Sequence, residues 1–196
     1  MDGFESGTVG AWSAVGGTAS KLSVTAGAKQ AGAYGLQAAI SGGASGYVID
    51  NTPSNESSYR ARFYFHPNNV TISSTAQDIF VGVNASSQVV FRVQLRRSSG
   101  KYQIRAAVTR SGGSTNTSWY TISNAYHAIE ISWQAATNAS FGLYIDGTLK
   151  KTLTKLNTSA SKVEAVYLGP SAGLGSVQGT EYFDSFVARR SAYIGP

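Results

Sequence analysis

An all-β, two-sheet antiparallel sandwich is the fold class this sequence predicts, and three observations predict it. Short runs alternate apolar and polar residues with the period of a strand along most of the chain. Clusters of Gly, Ser and Asn separate the runs at hairpin spacing. Helix formers are scarce, since no long stretch is rich in Leu, Glu and Lys.

The elements follow in order. Residues 36–40 and 46–50 are strands flanking the glycine-rich turn 41–45. In 58–65, Ala61, Phe63 and Phe65 share one face, and Arg60, Arg62 and Tyr64 the other. Residues 77–83 read as a mostly buried strand. In 88–96, Val89, Phe91, Val93 and Leu95 point inward, and Arg92, Gln94 and Arg96 outward. In 101–110, Tyr102, Ile104, Ala106 and Val108 oppose Gln103 and Arg105. Turns at 98–100 and 111–114 join these strands. Strands at 127–133, 140–145 and 148–153 come next. Asp146-Gly147 is the hairpin turn between the last two, because such a turn needs positive φ. Strands at 163–168 and 181–187 close the set, with 170–179 as a flexible loop between them. Eleven or twelve strands without a helix predict one domain over 1–190, followed by a tail, 191–196.

A chain of 196 residues with 42% hydrophobic content suits one such domain. The absence of Cys excludes disulfides, thiol nucleophiles and cysteine zinc sites. No apolar run approaches the roughly 20 residues that span a bilayer, so membrane insertion is not expected. Residues 1–20 lack the basic start and apolar stretch of a signal peptide. The expectation is a monomeric domain of a longer exported protein, extracellular or at the cell surface. Net charge is +6 with only 13% charged residues, an excess of Arg and Lys spread along the chain. That balance admits an anionic polysaccharide. No nucleic-acid motif is present, so nucleic acid is not an expected partner. Six Asn-x-Ser/Thr sequences, the first at Asn55, fall in turns and are read as turn chemistry.

An acidic residue near each end, Glu5 and Asp184, suggests that the termini meet and that a cation could fasten them. Phe4-Glu5-Ser6-Gly7 with Trp12, Tyr144-Ile145-Asp146-Gly147 and Tyr182-Phe183-Asp184-Ser185-Phe186 resemble the concanavalin A-like lectin/glucanase jelly rolls. That superfamily includes laminarinase-type glycoside hydrolases, laminin-G-like domains and carbohydrate-binding modules. The resemblance implies a jelly-roll sandwich with one structural Ca²⁺. Its implied ligands are Glu5, Asp184 and a backbone carbonyl at Ser41 or Gly42, with Asp2 as an alternative to Glu5.

The laminarinase-type enzymes carry a Glu-x-Asp-x-x-Glu strand, whose two Glu residues act as nucleophile and acid/base. No such triplet exists here; the corresponding strands offer Arg and Gln. Asp50 and Glu56 flank a Pro-containing loop and read as a solvated turn. His66 and His127 read as ordinary strand-end histidines. A polysaccharide lyase can work without a carboxylate pair, and Tyr64, His66 and Arg62 are the residue types it would use. The expectation is nonetheless that the chain is not an enzyme.

The polar faces of three strands carry Arg60, Arg62 and Tyr64; Arg92, Gln94 and Arg96; and Gln103 with Arg105. If the strands are neighbours in one sheet, these residues form one surface. Guanidinium pairs with carboxylate or sulfate, amides bond hydroxyls, and aromatic rings stack on sugars. Trp119 is the aromatic residue best placed to be exposed, whereas Trp133 alternates with Ile129 and Ile131 as core. The sequence therefore predicts a non-catalytic carbohydrate-binding module for an anionic polysaccharide. The alternatives are a structural or adhesive module without a sugar site, and a lyase or hydrolase with a non-standard site.

Overall fold

Two antiparallel sheets stack face to face in the computed structural model, which describes residues 1–196. The eight-stranded sheet runs in the order β1 (Ala14–Gly17), β4 (Gly46–Asp50), β14 (Ala165–Ala172), β6 (Gln77–Val83), β7 (Val89–Ser98), β8 (Lys101–Arg110) and β10 (Tyr120–Ile122). Its eighth strand, β9 (Gly113–Asn116), also pairs with β8. The seven-stranded sheet runs β13 (Thr148–Leu156), β12 (Ala139–Ile145), β11 (His127–Gln134), β5 (Ser58–His66), β15 (Gly179–Arg189), β3 (Gly35–Ile40) and β2 (Leu22–Thr25). Two one-turn 3₁₀ segments, Ala19–Lys21 and Ala26–Ala28, are the only helical pieces. No helix is long and apolar enough to cross a membrane.

Chain order and sheet order differ most at β14, which lies between β4 and β6, and at β5, which lies between β11 and β15. These crossings between distant segments make the sandwich a jelly roll, as the resemblance implies. The core forms where alternate residues of both sheets meet. Phe63 and Phe183 on one sheet face Phe80 and Phe91 on the other, and the Phe63 and Phe80 rings are 5.1 Å apart. Each such ring contributes about 1.5–3 kcal/mol by leaving water. Trp133 is core, as expected. The β12–β13 turn holds Asp146 and Gly147 at φ 52° and 72°, which is why Asp-Gly stands there.

The termini do meet. Asp2 and Phe186 exchange two backbone hydrogen bonds of 2.9 and 2.8 Å. Phe4 is buried and stacks on Trp12 at 6.0 Å, and Asp2 accepts the Trp12 indole N–H at 2.7 Å. The 191–196 segment lies against the outer face of the seven-stranded sheet. The backbone N–H groups of Ile194 and Gly195 donate to Glu130 at 3.2 and 3.0 Å.

Candidate functional site

Alternation on β7 sends Phe91, Val93 and Leu95 into the core, so Arg92, Gln94 and Arg96 must face outward. On β8 the same rule buries Ile104 and Ala106 and turns out Gln103 and Arg105. The register sets Gln94 opposite Arg105 and Arg96 opposite Gln103. On the other side of β7, Gln94 lies opposite Asp78 of β6.

These neighbours bond in a chain. Asp78 accepts Arg92 Nη1 at 3.1 Å and Gln94 Nε2 at 2.7 Å. Gln94 Oε1 accepts Arg105 Nε at 2.8 Å, and Gln103 Oε1 accepts Arg96 Nε at 2.9 Å. Trp119 lies under two cations, with the Arg96 and Arg105 guanidiniums 4.2 and 4.5 Å from its ring. Each such stack contributes roughly 0.5–1 kcal/mol when exposed. Of the three guanidiniums only that of Arg92 pairs with the one carboxylate, while those of Arg96 and Arg105 bond glutamine amides. Burial first, and then the charges of Arg96 and Arg92, hold the Arg105 pKa below its ordinary value. Beside them a recess of about 240 Å³ is lined by Arg92, Gln94, Arg105, Thr109, Ser114 and Asn116, among others.

The face continues across the sheet to two residues that the sequence reading missed. Tyr167 of β14 is in register with Val81, which is in register with Arg92. Next to it, Tyr47 of β4 has its ring 5.2 Å from that of Tyr167. The Tyr47 ring lies over Gly16 of β1, where a Cβ would come within 2.2 Å of it. Both tyrosines alternate with core residues, and that was the available signal: Val48 beside Tyr47, and Val166 and Leu168 beside Tyr167. Asp78, also missed, was signalled by a lone acid within the apolar run Gln77–Val83.

Arg60, Arg62 and Tyr64 do not belong to this surface, which corrects the expectation of three neighbouring strands. They lie on β5, in the other sheet, because β5 pairs with β11 and β15 rather than with β6 or β7. Arg60 pairs with buried Glu130 and stacks on Tyr144 and Tyr193 at 5.0 and 4.9 Å. Arg62 donates to the Ser185 and Gly195 carbonyls at 2.8 and 3.1 Å and lies over Tyr64 at 4.9 Å. His66 is boxed by Tyr126 and Tyr182, and its Nδ1 accepts the Asn68 N–H at 2.7 Å. Burial, reinforced by His127, holds its pKa below the ordinary value. His127 pairs with Asp146 at 2.7 Å. The Tyr64, His66 and Arg62 set named for lyase chemistry is therefore engaged internally, away from the basic face.

The expected calcium ligands assemble only in part. Glu5 and Asp184 both reach the segment that leads into β3. Asp184 Oδ2 accepts the N–H groups of Gln30 and Ala31 at 2.7 and 3.0 Å, and Glu5 accepts that of Ala33 at 2.7 Å. Burial raises the Asp184 pKa, and those N–H groups pull it back. Ser41 lies six residues along β3 from the level of Asp184, about 20 Å at the usual strand rise. Its hydroxyl accepts the Lys21 ammonium. A calcium site needs converging oxygens. N–H donors converge on these carboxylates, and Ser41 stands too far off to complete a site with them.

Among solved structures, the chain resembles an endo-β-1,4-glucuronan lyase from the fungus Trichoderma reesei, with TM-score 0.68, 12% identity and coverage of 94% of this chain and 93% of that one. It resembles the cellulose-induced protein Cip1 with TM-score 0.68, 14% identity and coverage of 100% and 98%. It resembles the alginate lyase Aly36B with TM-score 0.63, 12% identity and coverage of 90% and 86%. These likenesses show a shared fold, a two-sheet antiparallel jelly-roll sandwich. No protein-family model matches the chain, and no curated protein matches it in sequence.

Proposed function

We propose that the outer face of the eight-stranded sheet binds an acidic polysaccharide without cleaving it. One observation carries this reading: Arg92, Arg96 and Arg105 converge on an accessible face that holds a single carboxylate, Asp78. An acidic sugar supplies the missing counter-charge through guanidinium–carboxylate pairs. Trp119, Tyr167 and Tyr47 supply flat faces for the rings. Neighbouring strands lie about 4.8 Å apart, close to the length of one sugar unit, so a chain crossing the strands meets a new side chain at each step. The glucuronan and alginate lyases of the same fold act on uronate polymers, which supports the choice of an acidic ligand. On this reading the domain belongs to an exported protein and works outside the cell, where acidic polysaccharides are met.

The same fold likeness favours a second reading, a polysaccharide lyase. Elimination from a uronate needs a group to neutralise its carboxylate and a base to take the proton. Arg92 and Gln94 would serve the first need and Tyr167 the second. One feature weighs against it: both histidines lie on the other sheet.

Calorimetric titration with alginate and glucuronan oligosaccharides tests both readings. The binding reading expects saturable uptake that weakens with salt, that neutral glucans do not match, and that yields no unsaturated product. Accumulation of unsaturated ends, lost in Tyr167→Phe, would establish the lyase instead. Absence of saturable binding would leave only a structural role.

A further inference from the structure

The acid pair Asp50 and Glu56 is not part of the basic face. It lines a separate cavity of about 270 Å³ at the seam of the sandwich. Asp50 ends β4 in one sheet, and Tyr59 is the second residue of β5 in the other. Ala188 and Arg189 come from the end of β15, and Pro53 from the loop between β4 and β5. The volume is just below the roughly 300–1,000 Å³ usual for small-molecule sites, which suits one ring better than a chain.

Each polar wall is fixed, and some bonding capacity is left over. Asp50 Oδ1 accepts the Thr52 N–H and hydroxyl at 2.8 and 2.6 Å, which orients the carboxylate. Those bonds leave Oδ2 as a free acceptor. Glu56 is clamped by Arg190 through contacts of 2.7, 3.0 and 3.1 Å. Tyr59 is buried and stacks on Phe91 at 6.1 Å, yet its hydroxyl has no partner in the protein. That hydroxyl is enclosed, so the cavity meets Tyr59 as an apolar wall. Pro53 and Ala188 add an apolar strip.

The lining holds two acids, Asp50 and Glu56, and two bases, Arg189 and Arg190. That balance disfavours a charged guest of either sign and separates this cavity from the basic face. A fixed carboxylate, a guanidinium and an apolar strip match the vicinal hydroxyls and C–H face of a sugar. We propose that the seam cavity is a second carbohydrate site that takes one neutral pyranose residue. It binds without hydrolysing: glycoside cleavage needs a protonated carboxyl as acid, and the Arg190 clamp keeps Glu56 ionised.

The test is an amide NMR titration of the full chain with cellobiose, laminaribiose and mannobiose, and separately with an alginate trisaccharide. At least one neutral disaccharide should shift the amides of Thr52, Glu56, Ala188 and Arg189 saturably, leaving Arg92 and Arg105 unmoved. Asp50→Ala should weaken that binding about tenfold or more, as expected for lost hydrogen bonds to a charged group. Arg189→Ala, an exposed change, checks the same cavity if the Asp50 variant folds poorly. Three results overturn the proposal: no saturable shift up to the solubility limit, shifts confined to the basic face, or unchanged affinity in both Asp50→Ala and Arg189→Ala.

Discussion

Both outer faces of the sandwich carry arginines at alternate positions, and they differ in what surrounds those arginines. On β5, Arg60 has buried Glu130, two aromatic rings and the docked 191–196 segment, and Arg62 has two carbonyls. On β7 and β8, three arginines share Asp78, two glutamines and Trp119. One face has closed its electrostatics within the chain. The other leaves positive charge uncompensated, and that surplus, rather than the presence of arginine, is what suits a face to an external anion.

The largest effect expected from breaking this contrast is on the closed face. Glu130→Ala strands Arg60 beneath the tail and removes the acceptor for two backbone N–H groups. It should cost about 3–5 kcal/mol in denaturant unfolding. A loss below about 1 kcal/mol would mean that the tail and rings, not the ion pair, seal that face.

Next in size is a buried acid with no cation beside it. Glu181 lies between the sheets, fully buried, with only the Gln77 amide on Oε1 and no partner on Oε2. Burial pushes its pKa from 4.5 up to about 8, against the Gln77 hydrogen bond. The folded state therefore holds a proton that the unfolded chain releases at about 4.5. Its stabilising contribution is complete below about pH 4.5, declines as pH rises, and is gone above about pH 8. Glu181→Gln should flatten that slope in melting curves across pH 5–9; an unchanged slope would assign it elsewhere.

On the open face, Arg105→Ala should change stability by only about 0.5 kcal/mol. It should weaken acidic-glycan binding about tenfold, more at low salt than at physiological salt, where screening sets in over about 8 Å. Equal loss of stability on the two faces would remove the distinction between them. The smallest expected effect is none at all. EDTA should leave the melting temperature unchanged, since N–H groups already satisfy Glu5 and Asp184; a fall reversed by Ca²⁺ would restore the calcium site.

Strand positions were legible wherever alternation was strong, as in β5, β7 and β8. Four strands escaped that reading, β1, β2, β9 and β10. They are three or four residues long, and β1 and β9 are rich in Gly or polar residues, so their pairing is imposed by neighbours. The outward set on β7 and β8 was legible because a two-residue turn region joins adjacent strands. The place of β5 was not, since alternation assigns a face but not a sheet, and its partners are some 70 and 120 residues away. The docking of the tail was missed too, although Tyr193, Ile194 and Pro196 are unusually apolar for a free end.

Trp119 gives the open face an optical property of its own. Two guanidiniums rest on its indole, while Trp12 and Trp133 are enclosed in the core. Any guest that draws Arg96 or Arg105 away alters the surroundings of one fluorophore and leaves the other two as an internal standard. The domain thus carries an intrinsic emission gauge of occupancy on the basic face.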